Sequence, residues 1–173
     1  MIRTERLVLV PGTEQTLVHA LNDLAALGRV LGAEVPPSWP PESLDVNALR
    51  FTLDRLQDSV NPGAASWWMY FVLRPQAGEP ALRLIGTAGY KGPPSEGTVE
   101  IGYGLVADEH RRGYATEAAR ALIARAFVVP EVRRVIAETL SGHAASIGVL
   151  QECGFGPIEG GSEPGVIRFA LTR

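Results

Sequence analysis

The stretch that decides the fold is Asp108-Glu109-His110-Arg111-Arg112-Gly113-Tyr114-Ala115-Thr116-Glu117-Ala118. It joins an apolar segment to an amphipathic segment through a basic turn that contains glycine. A helix that begins after such a turn presents unpaired N–H groups and partial positive charge, which favour a phosphate group. Gly113 lets the backbone approach an anion closely, and Arg111 and Arg112 add charge. An ordinary surface turn with two solvated arginines has the same spacing, so the rest of the chain must decide.

The segment that follows the turn has a strong helical period. Apolar residues recur in steps of three and four from Ala115 to Phe127, and Pro130 ends the pattern. Residues 98–106 before the turn and 132–139 after the helix have the β-branched composition of strands. A strand, a crossover helix and a second strand predict a parallel pair. The basic turn then lies at the C-terminal edge of a strand, where α/β sheets bind ligands.

The N-terminal half predicts one strand, two helices and an antiparallel meander. Residues 3–10 form the strand, and a helix follows from Thr13 to a stop at Gly28. A second helix runs from about Asp45 through Val60 and ends at Asn61-Pro62-Gly63. Runs rich in aromatic and β-branched residues predict strands at 67–73, 82–90 and 98–106.

The C-terminal part predicts a short helix and two strands. The helix covers residues 144–153, and the strands cover 155–158 and 166–171. With the N-terminal elements they predict a mixed α+β fold and one domain over residues 1–173. Trp39, in the proline-rich connection, either lines a substrate mouth or attaches that loop to the core. The aromatic run from Trp67 is expected in the core.

Composition excludes several classes of protein. A net charge of −3 and a pI near 5.6 argue against general nucleic-acid binding. No apolar run reaches the ~20 residues of a membrane helix, and the N-terminus lacks the pattern of a signal peptide, so we expect a cytoplasmic protein with no membrane partner. The single cysteine, Cys153, cannot form an intramolecular disulfide. The three histidines are too far apart in sequence for a recognised metal motif, so no metal is expected.

Four sequence pieces together resemble the GNAT superfamily of acyl-CoA-dependent N-acetyltransferases. The resemblance is closest to the branch of the bacterial ribosomal-protein N-terminal acetyltransferases. The pieces, which extend over nearly the whole chain, are Thr4-Glu5-Arg6-Leu7-Val8-Leu9, Glu100-Ile101-Gly102-Tyr103, Gly113-Tyr114-Ala115-Thr116-Glu117-Ala118 and Ser146-Ile147 through Val149-Leu150 to Gly154-Phe155.

The resemblance implies a twisted, mostly antiparallel sheet in which one parallel pair splays around the cofactor, flanked by about four helices. Gly102 and Gly104 would permit the bulge that such splaying requires. Acetyl-CoA is the implied co-substrate. The implied cofactor-binding residues are Leu105, Val106, Ala107, His110, Arg111, Arg112, Gly113, Tyr114, Ala115, Thr116, His143 and Ser146. His110 stands where the family has Arg or Gln, and His143 stands where relatives often have Asn.

The transfer of an acetyl group to an amine needs a base, and two glutamates are candidates. Glu138 matches the base position of the N-terminal acetyltransferases, and its alternative role is an ion pair, for instance with Arg133 or Arg134. Glu100 lies near the base position of the histone-acetyltransferase branch. In many relatives a tyrosine acts as the general acid at the position where this chain has Leu150. Ser146 or a water molecule is therefore the candidate acid here.

Three hypotheses follow for the function. The first is an N-acetyltransferase acting on a protein N-terminus or a small-molecule amine, as a monomer or homodimer. The second is a non-catalytic acyl-CoA-binding sensor or interaction module, which the irregular positions His110, His143 and Leu150 suggest. The third, a nucleotide-binding α/β protein, is weakened because the turn lacks the G-x-G-x-x-G pattern.

Overall fold

The computed structural model describes residues 1–58 and 63–173. Within these residues, eight strands form one sheet in the order β1-β2-β3-β4-β5-β6-β8-β7. The β5–β6 pair is parallel and the other pairs are antiparallel. The strands are β1 (Ile2–Arg3), β2 (Val8–Pro11), β3 (Met69–Pro75), β4 (Leu82–Tyr90), β5 (Thr98–Leu105), β6 (Arg134–Leu140), β7 (Gly156–Ile158) and β8 (Val166–Thr172). The predicted mixed, mostly antiparallel α+β fold is confirmed.

The helices cover both faces of this sheet. They are α1 (Glu14–Asn22), α2 (Leu24–Leu31), α3 (Val46–Gln57), α4 (Tyr114–Val128) and α5 (Ala144–Glu152). One apolar core contains the inner residues of α4 and α5, including Leu122 and Leu150. The other contains Leu17, Leu27 and Leu49, from α1, α2 and α3. Burial of these apolar faces holds the two helical layers onto the sheet.

The described residues contain five α-helices instead of about four, because the first predicted helix is two helices. Asp23 ends α1, and its carboxylate accepts a hydrogen bond from the Ala26 N–H at 2.9 Å, which caps α2. The predicted stop at Gly28 is wrong. The chain leaves α2 at Gly32, whose φ of 61° is the left-handed conformation that glycine favours.

The second predicted helix and the connection before it agree largely with the structure. α3 begins directly after Asp45, in agreement with the predicted start at about Asp45, and the Asp45 side chain caps it. Val60, Asn61 and Pro62, where the sequence places the end of this helix, lie outside the described residues. Trp39 is 6% exposed and packs on Phe71 with the ring centroids 6.1 Å apart, so it attaches the proline-rich loop to the core.

The central feature of the sheet is a slot between β5 and β6. The parallel ladder covers only Thr98–Ile101 and Arg134–Ala137, whereas β5 stays paired with β4 through Leu105 and β6 stays paired with β8 through Leu140. The two strands therefore separate beyond Ile101. The expected bulge at Gly102 and Gly104 is wrong, since the β4–β5 register is unbroken there.

Gly104 lies close to the loop before α3. A Cβ at that position would lie 2.0 Å from the Ser43 Oγ atom, so a larger residue would require this hydroxyl to turn away. The nearest irregularity in the sheet is in the β3–β4 ladder, between Val72 and Leu73. No helix in the described part of the chain is long and apolar enough to cross a membrane.

Candidate active site

The basic turn forms an uncapped helix N-terminus. Gly113 is the N-cap residue of α4, has a φ of 78° and provides no side chain for capping, and no other described residue is seen to cap this end. Arg111 also has a left-handed φ, of 58°, which is uncommon for a residue with a side chain. Arg111, Arg112 and Gly113 are exposed. The first N–H groups of α4 are therefore available to an anion.

The N-terminal segment holds this turn in place. The carboxylate of Glu117, in the first turn of α4, accepts hydrogen bonds from Thr4 Oγ1 at 2.6 Å, the Arg6 N–H at 2.8 Å and Arg6 Nε at 2.7 Å. Arg6 Nη1 also donates to the Arg112 carbonyl at 3.0 Å, and its guanidinium lies 4.7 Å from the ring centroid of Tyr114. The two segments are 111 residues apart in sequence, so their contact was not predicted.

A buried carboxylate supports the turn from the other side. The side chain of Glu109 is 2% exposed, and it accepts hydrogen bonds from Arg74 Nε at 2.9 Å and Arg74 Nη2 at 2.7 Å. Arg112 Nη1 lies 3.5 Å from its other oxygen. The hydrogen bond with Glu109 raises the pKa of Arg74 above its usual value. Burial of a charge requires such partners, so these contacts fix the position of Glu109.

His110 fixes the end of β5. Its Nε2 atom lies 2.8 Å from the Leu105 carbonyl oxygen, to which it donates in the tautomer that carries the proton on Nε2. This contact anchors the imidazole beside the slot. Its effect on cofactor affinity stays a prediction.

Backbone groups of β5 line the slot. The Lys91 N–H bonds to the Glu100 carbonyl, and the Val106 N–H bonds to the Ile85 carbonyl at 2.9 Å. Because backbone groups alternate sides along a strand, Tyr103 and Leu105 direct theirs toward β6. Of the expected cofactor contacts Leu105, Val106 and Ala107, the Val106 N–H is thus already paired with β4, and the Leu105 N–H faces the slot.

The start of α5 lies across the slot from Tyr103. His143 is the exposed N-cap residue, and its side chain caps nothing. The Tyr103 hydroxyl donates to the Ser146 carbonyl at 3.2 Å and lies 3.3 Å from Ser146 Oγ. Burial raises the pKa of Tyr103 to about 12. Leu150, where relatives have tyrosine, is fully buried. Tyr103 stands in the quoted Glu100–Tyr103 motif but was not predicted as a site residue.

Glu138 is held in an ion pair. Its side chain is 6% exposed and accepts hydrogen bonds from Ser162 Oγ at 2.6 Å, the Ser162 N–H at 3.1 Å and Arg168 Nε at 2.8 Å. Arg168 is its cross-strand partner on β8, so the suggested partners Arg133 and Arg134 are wrong. Burial tends to raise the pKa of Glu138, but the bonds from Ser162 and Arg168 hold it below its usual value. Glu138 is therefore ionised and a weak base.

Glu100 lies on the same face of the sheet as Glu138. It pairs in register with Ile136, which is two residues before Glu138, and side chains alternate along a strand. Their neighbours Val99, Ile101, Val135 and Ala137 belong to the core on the opposite face, beneath α4. Lys91 forms an ion pair with Glu100 and also lowers the pKa of Glu138, so it is close to both carboxylates.

Two further features bear on the site. A broad groove of about 1220 Å³ runs between the N-terminal segment and the outer side of α4, and includes Gly113, Thr116, Arg120 and Arg125. It adjoins the basic turn and contains no residue of the slot. Among the described residues, no three His, Cys, Asp or Glu side chains are grouped as metal ligands.

Comparison with known proteins identifies the family. The family model of the acetyltransferase (GNAT) domain matches residues 6–156. The match covers most of the chain, so the chain belongs to the GNAT acetyltransferase family, as its motifs predict. No curated protein matches the sequence.

Solved structures share the fold over nearly their whole length. An acetyltransferase from Agrobacterium tumefaciens has a TM-score of 0.66 and 23% identity, with 99% of this chain and 94% of that chain covered. The ribosomal L7/L12 alpha-N-protein acetyltransferase RimL, in complex with coenzyme A, has a TM-score of 0.62 and 18% identity, with 98% and 95% covered. AAC(6')-Ib, in complex with paromomycin and acetyl-CoA, has a TM-score of 0.59 and 20% identity, with 98% and 94% covered.

Proposed function

We propose that the protein transfers the acetyl group of acetyl-CoA to a primary amine, either a protein N-terminus or a small molecule. The observation that carries the proposal is the slot between β5 and β6, which opens beside the uncapped N-terminus of α4. A pyrophosphate suits the exposed N–H groups and arginines of the turn, and an extended amide chain suits the edge of β5. Two similar structures hold coenzyme A or acetyl-CoA.

The residues of the chain have distinct roles in this proposal. The turn from His110 to Thr116 binds phosphate, and Leu105, His143 and Ser146 line the path of the amide chain. When bound, acetyl-CoA supplies a thioester that an uncharged amine can attack. Glu138 and Glu100 attract the ammonium form of the acceptor and accept its proton directly or through water. Holding the two reactants at the slot supplies much of the rate.

The amine-specific part of the proposal is tested by turnover. Release of free thiol is measured with a panel of peptides that differ in their first residue and with small amines, and mass spectrometry identifies the acetylated nitrogen. Glu138→Gln should lower kcat strongly with the best acceptor. Glu34→Gln is the matched control, because Glu34 also pairs with an arginine, Arg83, and its pKa is also lowered, chiefly by a hydrogen bond from Gln76. Equal losses in the two variants would contradict the base role of Glu138.

Two observations favour the alternative of a non-catalytic acyl-CoA-binding module. Leu150 is an alkyl side chain where relatives have an acid, and the ion pair of Glu138 makes it a weak base. Calorimetric titration with acetyl-CoA, NAD and ATP distinguishes the cofactor first. Tight binding of acetyl-CoA without turnover of any amine would support the alternative and refute the enzyme. Equal affinity for NAD or ATP would refute both.

The setting of the reaction is also a proposal. We expect the whole chain to behave as one domain, present as a monomer or homodimer in the cytoplasm, with no nucleic-acid or membrane partner. Limited proteolysis tests the single domain, light scattering of the purified protein measures the oligomeric state, and cell fractionation measures the location. A stable proteolytic fragment much shorter than the chain would contradict the single domain.

A further inference from the structure

The slot has a hydroxyl pair on the side of the sheet that carries α4 and α5. Tyr103 stands on the part of β5 that has separated from β6, and its hydroxyl reaches Ser146 near the start of α5. Both residues are partly buried. The two contacts, 3.2 Å and 3.3 Å, are longer than the usual O–H···O distance of about 2.7–2.8 Å. Such a weakly held phenol can turn to another acceptor at little cost.

We propose that Tyr103 is the hydrogen-bond donor to the sulfur of the acyl donor and to the thiolate that leaves it. This inference rests on the proposed acetyltransferase function. It gives the chain a hydrogen-bond donor in place of the hydroxyl that is missing at Leu150, and it places that donor on the strand instead of on the helix. The family motif does not assign this role to Tyr103.

The proton balance of the step is complete. The acetyl carbon gains a bond to the amine nitrogen and loses its bond to sulfur, which leaves with the bonding electron pair. The sulfur leaves as a thiolate that accepts a hydrogen bond from the Tyr103 hydroxyl, and it takes up a proton from solvent after its release. The nitrogen loses one proton to water or to a carboxylate. No oxidant, reductant or metal is required.

The surroundings of Tyr103 keep its phenol protonated. Burial raises its pKa to about 12, so the phenol is neutral throughout the physiological range. The titratable group that contributes to this shift is Cys153, at the end of α5. Burial also raises the pKa of Cys153, so its thiol is uncharged at neutral pH. Both neighbours, Ser146 and Cys153, are thus neutral, and the donor proton has no competing anionic acceptor in these contacts.

The first test measures the thiol of bound coenzyme A and requires no turnover. Thiolate absorbance at about 240 nm is followed as the pH is raised, with the protein bound to desulfo-coenzyme A as the blank, which removes the signals of Cys153 and the tyrosines. A donated hydrogen bond stabilises a thiolate by an amount that lowers its pKa by about one to two units. The bound thiol should therefore titrate below free coenzyme A in the wild type. A bound thiol that titrates at or above the free value would overturn the proposal.

The second test compares two tyrosine variants. Tyr103→Phe should raise the pKa of the bound thiol and lower kcat by about 10- to 100-fold, the loss expected when one hydrogen bond to the charged leaving thiolate is removed. The dissociation constant for acetyl-CoA should stay within about twofold, since the phosphate turn is untouched. Tyr90→Phe is the matched control. Tyr90 also has a pKa raised to about 12 by burial, and its hydroxyl donates to the Leu122 carbonyl at 2.7 Å.

The outcomes separate this inference from the proposed function. A wild-type protein that acetylates no amine refutes the proposed function, while the thiol titration still tests Tyr103. Normal turnover with an unchanged thiol pKa in Tyr103→Phe refutes the role of Tyr103 alone. Equal effects in the Tyr103 and Tyr90 variants would show that the Tyr103 hydroxyl has only a structural role, and would also refute the proposed role of Tyr103. If Tyr103→Phe fails to fold, the wild-type titration decides.

Discussion

Replacing Glu117 by glutamine should loosen the basic turn, which we propose as the phosphate site, and weaken the binding of acetyl-CoA. The side chain of Glu117 is 15% exposed and accepts three hydrogen bonds from Thr4 and Arg6. Glutamine keeps the size, but it turns an NH₂ group toward Arg6 Nε and removes the charge from the other two bonds. Since a hydrogen bond to a charged group exceeds a neutral one by about 1 kcal/mol, we expect a loss of about 2 kcal/mol.

This loss has two measurable consequences. For a chain of this size, a loss of 2 kcal/mol lowers Tm by about 4–8 °C, which differential scanning calorimetry resolves. If half of this free energy shifts the equilibrium from the ordered to a disordered turn, the fraction of protein that can bind falls. Kd for acetyl-CoA then rises by about fivefold. Asp58→Asn is the control, because the Asp58–Arg55 pair at 3.2 Å is exposed and should contribute about 0.5 kcal/mol or less. An unchanged Kd in a folded Glu117 variant would refute the link between the hydrogen bonds of Glu117 and the proposed phosphate site.

The effect of Glu117 also has a predicted pH dependence. Burial tends to raise the pKa of Glu117, but the bonds from Thr4 and Arg6 outweigh it and leave the pKa below its usual value. The folded protein therefore binds this proton more weakly than the unfolded chain does. The stabilisation is complete above the ordinary pKa of glutamate and is lost as the pH falls through the folded-state pKa. The Tm difference between wild type and Glu117→Gln should narrow below about pH 4, and a constant difference would contradict the assignment.

Three further substitutions test other parts of the structure. Arg168→Met leaves Glu138 without its cation, which raises the pKa of Glu138. The acid limb of the pH–kcat profile should therefore move to higher pH. An unmoved limb would show that Glu138 does not titrate in the reaction. His110→Ala frees the Leu105 carbonyl and should weaken acetyl-CoA binding by about fivefold in calorimetry, whereas His110→Gln keeps a donor and should not. Trp39→Ala should lower the unfolding free energy by about 3–5 kcal/mol in denaturant titration, and a loss below 1 kcal/mol would contradict its place in the core.

Elements with a clear period could be predicted closely from the sequence. The strand at 82–90 matches β4, and the helix after the basic turn begins within one residue of α4. The strand is a run of residues buried from Leu84 to Tyr90, and the helix repeats its apolar residues without interruption, so local pattern and tertiary packing agree. Asp23 was missed because its role as the end of one helix and the cap of the next depends on a change of chain direction. The periodic apolar residues on either side of it are consistent with one continuous helix.

Pairings across the chain account for what the sequence could not predict. Glu138 and Arg168 are 30 residues apart, and Arg74 and Glu109 are 35 apart, so only the strand order brings them together. Arg133 and Arg134 were plausible partners for Glu138 because they are near in sequence. Arg134 instead donates to Thr98 Oγ1 at 3.2 Å, where the β5–β6 ladder begins. Ion pairs in a sheet follow register, which sequence distance does not reveal.

The polar groups of the proposed site lie on two faces of the sheet. Glu100 and Glu138 lie on the face that α1, α2 and α3 occupy elsewhere, whereas Tyr103 and Ser146 lie on the face of α4 and α5, and the slot connects the two. In the proposed reaction, an amine enters from the carboxylate face and loses its proton there, while the leaving sulfur accepts a hydrogen bond from Tyr103 on the other face. Ser162, Arg168 and Lys91 hold the pKa of Glu138 below its usual value, and Lys91 also pairs with Glu100, so the carboxylate side attracts an ammonium ion at neutral pH. The neutral phenol and thiol on the opposite face place no charge beside the sulfur, so the base and the hydrogen-bond donor are separate groups.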